Sequence, residues 1–172
     1  MESSILNFGG HRGADLTVLV PDGWMPQELS VESISAPIRI ENLNGTELDV
    51  DTVSGVMELT DIRADELSLS TISAKITCSG AARDLSVETT SGNCALALTE
   101  RPEKIDLESV SGDLELFLPK KAGFTLRLDT VSGKFRTDLD YSTPQGDTYI
   151  SGDGSCAIRA ETVSGNVDIR QK

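Results

Sequence analysis

The string Thr-Val-Ser-Gly occurs three times unaltered, at residues 52–55, 130–133 and 162–165, and nothing else in the 172 residues limits the fold so strongly. Four relaxed copies fill the intervals: Ser33-Ile34-Ser35-Ala36, Thr71-Ile72-Ser73-Ala74, Thr89-Thr90-Ser91-Gly92 and Ser109-Val110-Ser111-Gly112. An apolar residue stands four places before each copy, at Leu29, Leu48, Leu67, Leu85, Ile105, Leu126 and Ile158, giving intervals of 19, 19, 18, 20, 21 and 32 residues. A period near twenty means that each unit is one short piece that buries its apolar face only by stacking on neighbours. The last interval must hold roughly a dozen extra residues.

Within a unit, apolar and polar residues alternate on both sides of the Ser-Gly, as in Leu48-Asp49-Val50-Asp51-Thr52 and Met57-Glu58-Leu59. Period two denotes half-buried strands, and the slip of phase across the Ser-Gly denotes a corner. Ser54, Gly55, Ser91, Gly92, Ser111, Gly112, Ser132, Gly133, Ser164 and Gly165 are assigned to that corner. Glycine is expected there for its freedom to take positive φ, and serine for bonds to backbone. No long stretch has helical spacing. The reading is an all-β, single-domain β-solenoid, β-helix-like, of about seven coils of 18–21 residues. Residues 1–28 form N-terminal capping strands and 29–172 the repeat domain, with an insertion at about 138–156 read as a protruding hairpin. At ~4.8 Å per coil the rod is about 35 Å long, with Leu114 and Leu116 stacked over Phe135. The chain ends three residues after Ile169, so coils stacked in sequence order leave the last one uncovered unless 141–156 folds over it. An uncovered coil would drive end-to-end association through the solenoid ends.

The repeated Thr-Val-Ser-Gly, the strand running into Pro at Leu114–Pro119 and the Gly152-Asp153-Gly154 piece before the last copy together resemble a known bacterial family, the adhesin-like β-strand-repeat domain of unknown function 4097. The resemblance runs from about Asp15 to the end. It implies a β-solenoid-like fold in a protein often associated with the cell envelope, and supplies no catalytic residues. Members often have an N-terminal membrane or secretion segment. This sequence has none, so it is read as a cytoplasmic member or as the soluble portion of an envelope protein lacking its leader or anchor.

A formal charge of −13 argues against nucleic acid and anionic lipid as partners, since both need basic surface. No apolar run approaches the ~20 residues of a membrane-spanning helix, so no direct membrane insertion is expected. Cys78, Cys94 and Cys156 are an odd number without metal-ligand spacing; free thiols are expected, with a Cys78–Cys94 bridge left open. His11 lies in a Gly-rich turn with no nucleophile beside it. No catalytic residue and no cofactor is assigned.

One pattern suggests more than scaffolding. The residue before the Thr/Ser position is acidic in six of seven copies, Glu32, Asp51, Glu88, Glu108, Asp129 and Glu161, with Ser70 the exception. Stacking makes these a column whose neighbours repel by roughly 0.9 kcal/mol in water. Solubility, weak divalent-cation binding and a basic protein partner each account for it, although the Asp-rich nonapeptide of calcium-binding β-helices is missing. Tyr141, Pro144 and Tyr149 in the insertion are candidate contact residues. The functional expectation is a non-catalytic, adhesin-like interaction module for a protein or surface polymer. The alternatives are a carbohydrate-binding or carbohydrate-active β-helix protein and an end-to-end self-assembling structural protein.

Overall fold

The computed structural model describes residues 16–21, 23–143 and 146–172. Among them no helix occurs, none therefore long and apolar enough to cross a membrane, and all thirteen strands join in one continuous curled sheet. Two rows of strands make up its two sides. The first row takes the strands that precede each corner: β1 (Glu28–Ser33), β3 (Asn44–Thr52), the ends of β4 (Met57–Thr71) and β5 (Ile76–Thr89), then β7 (Lys104–Ser109), β12 (Cys156–Thr162) and β9 (Phe124–Thr130). The second row takes the strands that follow each corner: β2 (Ile38–Glu41), the starts of β4 and β5, β6 (Cys94–Leu98), β8 (Leu114–Leu118), β13 (Val167–Gln171) and β10 (Phe135–Thr137). All of these pairings are parallel. β4 passes from the second row to the first by a register shift beside Asp61, whose φ is 55°.

Alternation decides what is buried. Leu48, Val50, Met57 and Leu59 of one repeat point inward and lie in register with Leu67, Leu69, Ile76 and Cys78 of the next, giving four apolar ladders between the rows. Cys78, Cys94 and Cys156 are buried, free members of this core, and burial pushes their thiols up to about 12.

The repeats do not stack in sequence order. The seventh, β12 and β13, lies between the fifth, β7 and β8, and the sixth, β9 and β10. Leu114 and Leu116 therefore pair with Val167 and Ile169, which separate them from Phe135. The C-terminal repeat is interior, so it is neither bare nor covered by 141–156, the two arrangements that stacking in sequence order left open.

The long last interval makes this order possible. β11 (Thr148–Ser151) runs antiparallel along the outer edge of β9 and bridges back to Ser142 at Ile150, so the described part of the insertion has the expected antiparallel return but lies on the stack instead of protruding. The chain then crosses the start of β9 through Gly152 and Gly154, both left-handed at φ 60° and 65°. It passes so close that a methyl on Gly123 would sit 2.5 Å from the Asp153 nitrogen. Thr125 Oγ1 donates to the Gly154 carbonyl at 2.9 Å. The Asp153 carboxylate accepts from the Ser155 hydroxyl at 2.7 Å and from its N–H at 3.1 Å, which, with Arg101 at 3.5 Å, hold that carboxyl below its ordinary range.

The end of the stack is closed by aromatics. Phe135 meets Phe124, Tyr141 and Tyr149 at ring-centroid distances of 6.4, 5.7 and 4.7 Å, and Phe135, Leu139 and Tyr149 pack on the core. At the other end, residues 16–21 and 23–27 form no strand, and Leu16, Val18 and Leu19 are exposed. The rest of the expected cap, with His11, lies outside the described residues.

Candidate functional site: an acidic sheet face and its apolar border

At five of the seven corners the Thr hydroxyl accepts the N–H three residues on, as in Thr89 to Gly92 at 2.8 Å and Thr162 to Gly165 at 2.8 Å, while at the other two Ser33 and Ser109 donate to the carbonyls of Ala36 and Gly112 at 2.9 Å. The following Ser hydroxyl donates to a carbonyl of the repeat beneath. Ser54 reaches Ile34, Ser73 Val53, Ser91 Ile72, Ser111 Thr90, Ser164 Val110 and Ser132 Val163, all at 3.2–3.3 Å. The last two bonds run between repeats 54 and 31 residues apart in sequence and hold the intercalated order at the corner.

The corner glycines are needed for a different reason from the one expected. None of Gly55, Gly92, Gly112, Gly133 and Gly165 has positive φ. A methyl on each would instead lie 1.8–2.1 Å from the carbonyl oxygen of the neighbouring corner. Close approach between stacked backbones selects glycine here.

With inward and corner positions accounted for, the outward positions of the first row stand out. They form three ladders across the repeats. One runs Glu28, Glu47, Glu66, Asp84, Lys104, Ala157, Thr125. The next runs Ser30, Asp49, Ser68, Ser86, Asp106, Arg159, Arg127. The third is the anticipated acidic column, in the spatial order Glu32, Asp51, Ser70, Glu88, Glu108, Glu161, Asp129. The face thus carries twelve carboxylates and Lys104, Arg159 and Arg127, a net of nine negative charges against thirteen for the whole chain.

Some of that charge is locally answered. Lys104 lies 2.5 Å from Asp106, which holds its ammonium above the usual lysine value, and Arg159 pairs with Glu161. Glu88 and Glu108 are adjacent, exposed and without an ion pair among the described residues. Among the described residues no three of His, Cys, Asp and Glu gather to hold a metal ion. The column places one carboxylate per strand along a line instead of converging them on a point.

The second row presents a different surface. Outward positions there include Thr77, Ser79, Ala95 and Ala97, with Glu41, Glu58, Glu115 and Asp168 set against Arg39, Arg136 and Arg170. Arg39 bonds Glu58 at 2.6 Å, Arg136 meets Asp168 at 3.6 Å and Arg170 meets Glu115 at 3.4 Å. Four acids against three arginines leave that face one charge from neutral.

A further ladder was hidden inside the motif. The residue after each Thr or Ser points outward at the corner and gives Ile34, Val53, Ile72, Thr90, Val110, Val163 and Val131 in spatial order. The six aliphatic members are 39–82% exposed. The sequence signal was available, since a residue following an inward Thr must point out. From the third repeat to the sixth, at the end of the stack, a shallow groove has this ladder on one bank, the acidic column on the other, and Thr71, Thr89, Ser109 and Thr162 as its floor. Of the insertion residues, Tyr149 is partly buried in the aromatic closure, Tyr141 is half exposed beside it, and Pro144 lies outside the described residues.

A family model described as Toastrack DUF4097 matches residues 8–170, in agreement with the resemblance drawn from the repeats, and its description says nothing of adhesion. No curated protein and no solved structure matches the chain.

Proposed function

The chain belongs to the Toastrack DUF4097 family, whose name assigns no activity, and from the surface just described we propose that it is a non-catalytic interaction scaffold. In this reading it is a β-solenoid of seven coils, the seventh intercalated, that presents the acidic face of its first row to a cationic partner, a protein or a surface polymer. The observation that carries the reading is the asymmetry of charge. Both faces are built by the same repeat and both meet water, yet nine net negative charges lie on one and a single one on the other. Charge held for solubility alone has no reason to choose a face, and concentrating it raises its Coulomb cost. A like-charged field over one flat side accelerates and orients association with an opposite charge. End-to-end assembly, by contrast, loses its motive at the C-terminal repeat, which is interior.

The test compares two variants of equal net charge on immobilised poly-L-lysine over a salt gradient. Asp49→Asn/Glu88→Gln/Glu108→Gln removes charge from the face, and Asp65→Asn/Glu103→Gln/Asp138→Asn removes it elsewhere. The face variant is expected to release at clearly lower salt, with the control close to wild type. Equal losses would show that net charge alone governs binding and would overturn the proposal.

A further inference from the structure

We propose that the groove between the acidic column and the aliphatic ladder is the docking site of a basic amphipathic α-helix of a partner protein, laid along the stacking axis. The inference rests on the acidic face being a binding surface and names the class of partner.

The aliphatic bank is its starting point. Six of seven corners expose Ile or Val, and Thr90 shows that the same corner accepts a polar β-branched residue. The turn itself therefore does not require the extra methyl. Ile72, Val110, Val163 and Val131 share one groove with Glu88, Glu108, Glu161 and Asp129, so apolar and anionic stripes run side by side along the axis. A partner that satisfies both has a cationic stripe next to an apolar one.

Backbone geometry chooses between an extended and a helical occupant. The interior strands of this row are paired on both sides, so the face offers side chains and no free backbone edge for strand addition. Rows recur every ~4.8 Å, close to the ~5.4 Å of a helical turn and far from the ~6.7 Å between same-side residues of a strand. Over the five rows of the groove the helical mismatch accumulates to about 2.4 Å, within the reach of Lys and Arg side chains.

The probe is a synthetic peptide of about 18 residues with lysines at i, i+4, i+7 and i+11 and leucines on the adjoining stripe. It is compared with a shuffled peptide of the same composition and with a version carrying two central prolines. Binding is read by fluorescence anisotropy and helicity by circular dichroism, with wild type and with Val110→Thr/Val163→Thr, a change that copies the native Thr90 corner. The expected result is that the striped peptide becomes helical on binding and binds at least tenfold more tightly than the shuffled one. The valine variant should lose most of that preference while melting like wild type. Equal binding of striped and shuffled peptides overturns the helix site and leaves the acidic face standing. Undiminished binding by the proline peptide assigns the groove to an extended chain and overturns the helix. Failure of every peptide to bind overturns both readings.

Discussion

Gly112→Ala separates two explanations for the corner glycines that give opposite answers. An ideal methyl at Gly112 stands 2.0 Å from the Gly92 carbonyl oxygen and 2.8 Å from its carbon. Bringing that contact to an ordinary van der Waals distance lifts one corner from the other by more than 1 Å. The bonds joining the two corners have no such slack: Ser111 N–H to Thr90 O at 3.0 Å, Val110 N–H to Thr89 O at 3.2 Å, and Ser111 Oγ to Thr90 O at 3.3 Å. All three would pass beyond hydrogen-bonding distance. At about 1 kcal/mol each, the expected cost is about 3 kcal/mol, or a fall of roughly 6–12 °C in melting temperature for a chain of this size. Gly23→Ala supplies the opposite case, with φ at 77° and nothing within 4 Å of the added methyl. Its cost is only that of a left-handed alanine, about 1–2 kcal/mol. If positive φ were the only reason a glycine resists substitution, Gly112→Ala, whose φ is not positive, would be silent and Gly23→Ala the more harmful. Thermal unfolding followed by circular dichroism ranks the two, and a Gly112→Ala protein melting within about 2 °C of wild type refutes the close-approach argument. Ala74 already carries a methyl over Gly55, and nothing in the structure explains that exception.

Three further outcomes are expected. Glu108 lies between Glu88 and Glu161, so Glu108→Gln relieves two repulsions of roughly 0.9 kcal/mol before screening, and should raise the melting temperature by a few degrees at low salt and hardly at all in 1 M salt. Leu116 is fully buried, and Leu116→Asp places a charge between Leu96 and Ile169 at a cost of about 3–5 kcal/mol, whereas Leu116→Met should stay below about 1.5 kcal/mol; equal melting of the two would put this position outside the core. The three thiols, raised to about 12, should resist a thiol reagent at pH 8 until denaturant is added. Because their folded values lie above the unfolded ones, their contribution to stability is complete below about pH 8.5 and lost as pH climbs towards 12, which melting curves across that range check.

Much of this architecture was legible because one period fixes several things at once. Knowing that Leu48 points inward settles Val50, Thr52 and the outward Asp51, and the stacked column from Glu32 to Asp129 follows. A neighbouring acidic position escapes that reasoning although it recurs in four consecutive repeats, Glu28, Glu47, Glu66 and Asp84 each standing immediately before the inward leucine of its repeat. The order of the last repeats was beyond the period's reach. Leu126, Ile158 and Ile105 are equivalent members of one ladder, and an apolar pattern does not say which repeat lies on which. Only the 32-residue interval and the Gly152-Asp153-Gly154 crossover mark the detour. The corner glycines were identified for the wrong reason because both a left-handed turn and a backbone contact exclude a side chain, and distance alone tells them apart.

The charge of the face also varies along its length. Repeats one to four contribute eight carboxylates to the three outer ladders and no cation within them, Arg83 at their border meeting Asp84 at 3.4 Å and Glu66 at 3.9 Å. Lys104, Arg159 and Arg127 all fall on the fifth, seventh and sixth repeats, facing four carboxylates. Arg159 lies beside both Asp106 and Arg127, and the three cations form one block at that end. Neither the apolar ladders nor the corner bonds constrain these outward positions. Their segregation, by face and then along the axis, is therefore information the fold does not use, and it gives the acidic face a direction as well as a sign. A cationic partner would be drawn most strongly to the end nearest the first repeat, while the third column keeps its carboxylates through Glu161 and Asp129 to the other end. That continuity along a fading field is what an elongated partner needs and a point-like ligand does not.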